Sequence, residues 1–255
     1  EWCRRDVRRR NLISAGLSMS VLPLLLKGVS VHAGGQILID GIDLEIEAGP
    51  KTVILGPNGA GKSLLLRLCH GLIGPTAGKL TWSGSDSAHA RRRQGMVFQK
   101  PVMLRRSVRA NIAYGLKLHE IPTAHRQERI ERALAQTGLG HVAERPARVL
   151  SVGEQQRLAL ARAWALQPEV LFLDEPTASL DPSGTGAVER IIEDIHAAGT
   201  KIVMTTHDLA QARRVAEDVI FLHNGRLTER ASPAKFFSAP ESEAARAFLD
   251  GRLLW

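Results

Sequence analysis

An α/β fold with a mainly parallel core sheet is predicted by three features of the 255-residue sequence. Short apolar runs at Thr52 to Leu55, Val170 to Leu173 and Lys201 to Met204 are each followed by helix-like sequence, the pattern of parallel strands joined by crossovers. Antiparallel signals lie toward the two ends. Between about 100 and 165 the texture turns helical, which predicts a helical insert in the middle.

The elements follow in order. Leu24 to Val31 reads as a strand, and Gly34-Gly35 turns the chain into a second run, Ile37 to Asp40. Asp43 to Glu47 alternates apolar and polar residues, as a half-buried strand does, and Ala48-Gly49-Pro50 breaks it. Thr52 to Leu55 is short and apolar; a Gly-rich loop follows, then an apolar helix from about Lys62 to Cys69 that closes near Gly71. Lys79 to Trp82 and Met96 to Phe98 are further short strands. Thr123 is expected to cap a helix in which Ile130, Ala133, Leu134 and Thr137 share a face, with Gly138 as its stop. The strands at 170–173 and 201–204 follow. Val219 to Leu222, the turn Asn224-Gly225, and Arg226 to Glu229 form a hairpin.

Composition narrows the class. With 44% hydrophobic and 24% charged residues the chain is an ordinary globular protein, neither disordered nor collagen-like. Aromatic residues are 4%, with a single Tyr, too few for an aromatic platform that stacks bases. Cys3 and Cys69 make neither a zinc pattern nor a disulfide framework, and reduced thiols are expected. The net charge of +8 is partly local. Arg4, Arg5, Arg8, Arg9 and Arg10 outweigh Glu1 and Asp6, and the stretch Arg91 to Arg109 contains no acid. That stretch is either solvated surface or a face for anionic lipid, a membrane partner or nucleic acid. The uncharged run 11–26 is broken by serines, Gly16 and Pro23 and falls short of the roughly 20 residues a span needs. A signal peptide is disfavoured because no small-residue cleavage site precedes Leu24-Leu25-Leu26. Residues 1–18 are expected to be a disordered or non-native extension, and 19–255 the folded domain.

Two motifs carry chemistry. Gly56-Pro57-Asn58-Gly59-Ala60-Gly61-Lys62-Ser63 fits the phosphate-loop spacing between a strand and a helix. Its backbone N–H groups can wrap phosphate oxygens at a helix N-terminus, Lys62 reaches the β- and γ-phosphates, and Ser63 ligates Mg²⁺. The alternative, a structural glycine loop, does not account for its place between strand and helix. Val170 to Leu173 ends in Asp174-Glu175, at the carboxyl edge where ligands of parallel sheets bind. Asp174 suits the Mg²⁺ shell, and Glu175 suits a general base on the attacking water. Ser151 and Glu154 form a capping box that opens a further helix.

With these motifs, Leu150-Ser151-Val152-Gly153-Glu154-Gln155-Gln156-Arg157 resembles the signature of the ATP-binding cassette (ABC) family. Gln99 resembles that family's Q-loop glutamine, Ser179-Leu180-Asp181 its D-loop, and His207 its switch histidine. The resemblance spans about residues 24–230. It implies a P-loop NTPase fold: a mainly parallel core, an antiparallel β subdomain, and a helical subdomain over about 100–165. It also implies Mg²⁺-dependent ATP hydrolysis by Glu175, His207 and Gln99. Phosphate-loop residues Gly56 to Ser63 would bind ATP, as would Ser151, Gly153, Glu154 and Asp181 from a second copy in a head-to-tail dimer. Ser63, Gln99 and Asp174 would hold the metal. Two departures stand out. Val152 replaces the first signature glycine, where a β-branched residue is expected to crowd the approach or strain the backbone. Ala33, beside His32, stands where the family usually stacks adenine on an aromatic.

Within the family, the interval from Ser63 to Leu150 is too short for the coiled coil of chromosome and repair cassettes, and translation-factor chains carry two cassettes. A separately encoded transporter subunit is the reading that remains. The tail after His207 leaves no room for a sugar-importer regulatory barrel. The run Gly56 to Gly71 and the tail Phe236 to Trp255 look most like tungstate-type oxyanion importer subunits, with phosphate importers the alternative. A nucleic-acid-associated cassette ATPase is the alternative of another class. The importer resemblance implies an integral-membrane permease, a second copy of the chain and an extracytoplasmic solute-binding protein as partners, with no nucleic acid. It implies a cytoplasmic location, peripheral on the inner face of the cell membrane.

Overall fold

The structure is a computed structural model that describes residues 20–83 and 87–252. The extension expected over 1–18, Cys3, and the end of the tail from 253 lie outside the described residues.

Two sheets organise the chain. Strands β1 (Leu24–Ala33), β2 (Gln36–Ile46) and β4 (Ala77–Trp82) form an antiparallel sheet in the order β2-β1-β4. The main sheet has six strands: β3 (Thr52–Leu55), β5 (Gln94–Val97), β6 (Val170–Asp174), β7 (Lys201–Thr205), β8 (Asp218–His223) and β9 (Arg226–Ala231). Their order is β5-β6-β7-β3-β8-β9, parallel except for the β8–β9 hairpin. That hairpin turns at Asn224 (φ 48°) and Gly225 (φ 75°), as its Asn-Gly pair predicts.

The helices are α1 (Lys62–His70), α2 (Ser87–Arg92), α3 (Val108–Leu118), α4 (Thr123–Gln136), α5 (Val152–Trp164), α6 (Pro182–Ala197), α7 (Leu209–Val215), α8 (Pro233–Ser238) and α9 (Glu243–Leu249). Two 3₁₀ turns, Gly140–Val142 and Ala147–Val149, lie between α4 and α5. None of the described helices is long and apolar enough to cross a membrane.

The main sheet is covered on both faces. Along β3, β6 and β7, successive side chains point to opposite faces and all are buried. Val53, Leu55, Leu171, Leu173, Ile202 and Met204 join one apolar cluster with helices α3 to α9. Ile54, Val170, Phe172, Val203, Ile220 and Leu222 join another, with α1 and the antiparallel sheet. A run with no polar face is how this sequence encodes a strand with no wet side.

Several expectations change in detail. The two runs at 37–40 and 43–47 are one strand. The pairing runs from Val29↔Ile42 to Val31↔Ile39, so β2 holds one extra residue there. Gly41 (φ 57°) absorbs it as a bulge, its N–H donating to Ser30 Oγ at 2.9 Å, instead of ending the strand. Thr123 does not cap α4. Pro122 occupies the cap position, with no side-chain cap bond. The face Ile130, Ala133, Leu134 and Thr137 is buried, and Gly138 (φ 65°) ends the helix as expected. α3 has a cap that sequence reasoning missed: Ser107 Oγ accepts from Ala110 N. β5 stops at Val97, which leaves Phe98 outside the sheet and 40% exposed. Helix α2, whose last turn enters the basic stretch, has no counterpart in the sequence reading.

The basic stretch is not one bare cationic face. Arg92 pairs with Glu120, Arg93 with Glu169, and Arg109 with both Glu131 and Glu144. The Arg106 guanidinium lies over the Tyr114 ring, 4.9 Å from its centroid.

Phe172 sits at the centre of the second cluster, fully buried. It makes edge-on contacts with His70 at 6.0 Å and Trp82 at 6.4 Å between ring centroids. Replacing it by Ala removes this anchor and leaves a cavity under α1. Phe172→Ala is expected to lower stability by about 3–5 kcal/mol. Urea unfolding checks this; an unchanged midpoint would show that the cluster collapses to fill the space.

Candidate functional site

The first part of the site follows from the end of β3. After Leu55 the chain leaves the sheet through Gly56 and closes on α1 through Gly61. A Cβ on Gly56 would lie 2.1 Å from the Leu222 carbonyl oxygen, so only glycine fits between β3 and β8. Gly61 takes φ 99°, and a Cβ there would meet Ile39 Cδ1 at 2.9 Å. Asn58 and Gly59 are exposed at the tip, while Ala60 is buried and accepts from Gly225 N at 3.1 Å. The first turn of α1 holds no acid, so its N–H groups present an uncompensated positive end.

Lys62 folds over this loop. Its Nζ donates to the carbonyls of Gly56 at 2.8 Å and Pro57 at 3.0 Å, and lies 3.8 Å from Glu175 Oε1. The lysine is 6% exposed. Burial pushes its pKa below the usual value, against the pull of Glu175 and Asp174. Attraction from both carboxylates offsets part of the cost of burying this side chain.

The ends of the neighbouring strands supply the rest. β6 brings Asp174, 4% exposed, whose Oδ1 accepts from Ser63 Oγ at 2.7 Å and from Thr205 Oγ1 at 2.9 Å. Glu175, one residue on, takes φ 45° and gathers three groups around its carboxylate. These are Lys62, the His207 Nδ1 at 3.0 Å, and the Gln99 Nε2, which donates at 3.5 Å. Gln99 follows β5 by two residues, and His207 follows β7 by two. Four adjacent strands, β5, β6, β7 and β3, thus converge on one carboxylate.

A second group lies apart from the first. Ser151 caps α5 in the expected box: its Oγ accepts from Glu154 N at 3.3 Å, and Glu154 Oε2 accepts from Ser151 N at 2.8 Å and from its Oγ at 2.9 Å. The Ser151 backbone N–H, then its hydroxyl, holds the Glu154 carboxyl below the usual range, against a smaller opposing effect of burial. Asp181 caps α6, accepting from Gly184 N at 2.8 Å. Ser151, Gly153, Glu154, Leu180 and Asp181 share a shallow cleft whose lining includes no phosphate-loop residue.

The expected strain at Val152 is not found. Val152 begins α5, is absent from the left-handed region that other residues occupy, and is 58% exposed. Its side chain stands on the surface, so any effect of this departure is steric. His32 and Ala33, at the end of β1, are both exposed. Sequence reasoning missed Thr205. The available signal was a hydroxyl residue closing the otherwise apolar strand 202–204 beside the acid pair.

This geometry matches what comparison finds. The family model described as ABC transporter matches residues 39–178. The phosphate import ATP-binding protein PstB 2 of Natronomonas pharaonis is 36% identical over 249 residues, covering 91% of this chain and 88% of its own. The tungstate uptake system ATP-binding protein TupC of Peptoclostridium acidaminophilum is 41% identical over 197 residues, covering 77% and 92%. The nickel import ATP-binding protein NikO of Rhodobacter capsulatus is 41% identical over 226 residues, covering 82% and 88%. A dimeric ATP-binding cassette, solved in a post-hydrolysis state with ADP and Pi, superposes with a TM-score of 0.72 at 27% identity, covering 82% of this chain and 98% of its own. Fold and site define a P-loop ATPase. The chain belongs to the ABC transporter family, as its ATP-binding ATPase domain.

Gly56 is the tightest position of the loop. Gly56→Ala is expected to displace the loop from Leu222 and weaken ATP binding at least tenfold, with the fold retained. Equilibrium nucleotide binding checks this; wild-type affinity would mean that β8 yields instead.

Proposed function

We propose that this chain is the ATP-hydrolysing subunit of an importer that moves a small solute, an oxyanion of the tungstate or molybdate type, through a separate permease. The observation that carries the hydrolytic part is the convergence of Gln99, Glu175, His207 and Lys62 at four strand ends. Two of the three relatives named above handle oxyanions, which supports the cargo class. Residues 19–255 act as the nucleotide-binding domain, with about 100–165 as the helical subdomain that meets the permease at the inner membrane face. An extracytoplasmic binding protein delivers the solute.

In the reaction, Gly56 to Lys62 hold the phosphates by backbone N–H groups and the ammonium. Ser63 Oγ and Asp174 Oδ1 are hard oxygen donors 2.7 Å apart beside the loop. They fit Mg²⁺, which takes few carboxylates and keeps its other positions for phosphate and water. The Gln99 amide oxygen is a third donor within reach of that shell. Bound there, Mg²⁺ supplies neutralising charge to the phosphoryl group in flight. Glu175 accepts the proton of the attacking water; the new P–O bond forms as the bond to the β,γ-bridging oxygen breaks, and ADP leaves. His207, hydrogen-bonded to Glu175, orients that carboxylate and faces the γ-phosphate.

A second copy completes the site. Gly153 supports this: an added Cβ would meet only Leu180 Cδ2 at 3.9 Å, and its φ is not positive. Neither backbone nor internal packing requires glycine there, and the missing side chain leaves room for a second copy to approach. The cleft of Ser151, Gly153, Glu154 and Asp181 faces the γ-phosphate on the partner's phosphate loop in a head-to-tail dimer. Nucleic acid is not expected as a partner, and Glu120, Glu169, Glu131 and Glu144 pair with Arg92, Arg93 and Arg109 of the basic stretch.

Glu175→Gln is expected to keep ATP binding, lower turnover by about 10²-fold or more, and trap an ATP-bound dimer. Turnover at the parent rate would remove Glu175 from the role of base. Gly153→Ala is expected to leave the melting temperature unchanged or raised, because Ala favours the helix by up to about 1 kcal/mol. It should also weaken ATP-driven dimerisation, read from ATPase rate against protein concentration. For cargo, the chain reconstituted with its permease is expected to drive uptake of tungstate or molybdate over phosphate and nickel. Preference for phosphate would overturn the tungstate or molybdate assignment, and preference for nickel would overturn the oxyanion class itself.

A further inference from the structure

Strand β7 ends in a hydroxyl that the roles above do not use. Thr205 is 0% exposed and pairs with Asp174 across the β6–β7 ladder. Its Oγ1 accepts from Glu175 N at 3.0 Å and donates to Asp174 Oδ1 at 2.9 Å. A hydroxyl offers one donor and two acceptor positions, so both bonds are satisfied at once. One buried side chain therefore touches both members of the acid pair, the backbone of one and the carboxylate of the other.

The backbone makes this contact consequential. Glu175 sits at φ 45°, a left-handed conformation that a long side chain adopts only when its surroundings enforce it. An extended Glu175 would continue the strand and alternate to the other face. Turned as it is, its carboxylate reaches His207 at 3.0 Å, Gln99 at 3.5 Å and Lys62 at 3.8 Å. The turn takes the Glu175 N–H away from a ladder carbonyl, and Thr205 Oγ1 receives it. At the same time, Thr205 shares Asp174 Oδ1 with Ser63, which ties the turn to the phosphate loop. Valine has nearly the same shape and suits a buried strand better. The hydroxyl is accounted for by these two bonds rather than by packing.

We infer that Thr205 is a positioning residue that holds Glu175 in its left-handed turn and so sets the general base against the attacking water. The inference rests on the role given to Glu175 above. Thr205 touches neither nucleotide nor water in this arrangement; it acts through Glu175 and Asp174.

The test compares Thr205→Val and Thr205→Ser with the parent and with Glu175→Gln. Melting temperature, Mg-ATP binding and steady-state ATPase kinetics are measured on the full chain. Thr205→Val is expected to lower kcat by about tenfold to a hundredfold, as a displaced catalytic group does. Its Mg-ATP affinity and KM should stay within about threefold of the parent. Thr205→Ser should restore most of the rate, since it keeps the hydroxyl and loses only the methyl. Glu175→Gln turning over at the parent rate would overturn the role of the base itself. An inactive Glu175→Gln alongside a Thr205→Val of parental kcat overturns the inference drawn here and leaves the base in place. Equal losses in kcat and ATP affinity, or no rescue by Ser, would make Thr205 merely structural. Should Thr205→Val fail to fold, Thr205→Cys, a weak donor and acceptor of similar size, carries the same comparison.

Discussion

A strand covered on both faces has nowhere along its length to keep a charged group hydrated. Every residue of β3, β6 and β7 is buried, and the interior of each run is apolar. Polar chemistry is therefore confined to the strand ends. Because the strands are parallel, their carboxyl ends lie together, and the order β5-β6-β7-β3 sets Gln99, Asp174-Glu175, Thr205 to His207 and the phosphate loop side by side. The double-sided core is thus what assembles the site.

Within the site the groups hold one another. Lys62 is nearly buried, so two loop carbonyls and two carboxylates must answer its charge. Asp174 is more buried still, and Ser63 and Thr205 supply the donors that a desolvated carboxylate requires. Glu175 is held in a strained turn with its carboxylate among a cation, an imidazole and an amide. No member of this set is satisfied by its own element. The phosphate loop is fixed to β8 through Gly56 and Gly225, and the antiparallel sheet backs it at Ile39 beside Gly61. Stability of the two apolar clusters and geometry of the site are in this sense one property.

The parts legible in the sequence are those written contiguously. The phosphate loop, the acid pair after an apolar run, and the Ser151–Glu154 box each lie within one short segment, and the structure places them as read. The doubly buried strands were legible too, because a short apolar run without alternation, bounded by turn residues, suits a strand covered on both faces. What escaped is set by neighbours distant in sequence. The basic stretch looked uncompensated because its acids come from α4 and the segments around it, and from the loop before β6. The runs at 37–40 and 43–47 read as separate strands, and only the pairing with β1 makes Gly41 a bulge within one strand. Thr123 looked like a cap, but the proline before it already sets the entry of α4. The hydroxyl of Thr205 closing an apolar run is a weak signal by itself, since a Thr at the end of a β-run is ordinary; its meaning lies in the acid pair on the strand beside it.

Glycine gives the sharpest separation between what this chain needs to fold and what it needs to act. Gly56 is required from within, because a side chain would strike the Leu222 carbonyl. Gly153 has no such requirement. It lies in a helix with room for a methyl group and would fold as well with one. Two N–H groups at this helix start are already committed to the capping box, and the glycine beside them leaves the surface open for the second copy proposed above. Val152, exposed beside it with unstrained backbone, narrows that surface by its side chain alone. In the head-to-tail dimer proposed above, the phosphate loop, with its uncompensated helix end, is the complementary surface on the same molecule. A surface that meets a different surface of an identical copy closes into a dimer only if a two-fold operation brings both pairs together at once. In the proposed dimer, two nucleotides at two such junctions satisfy that condition.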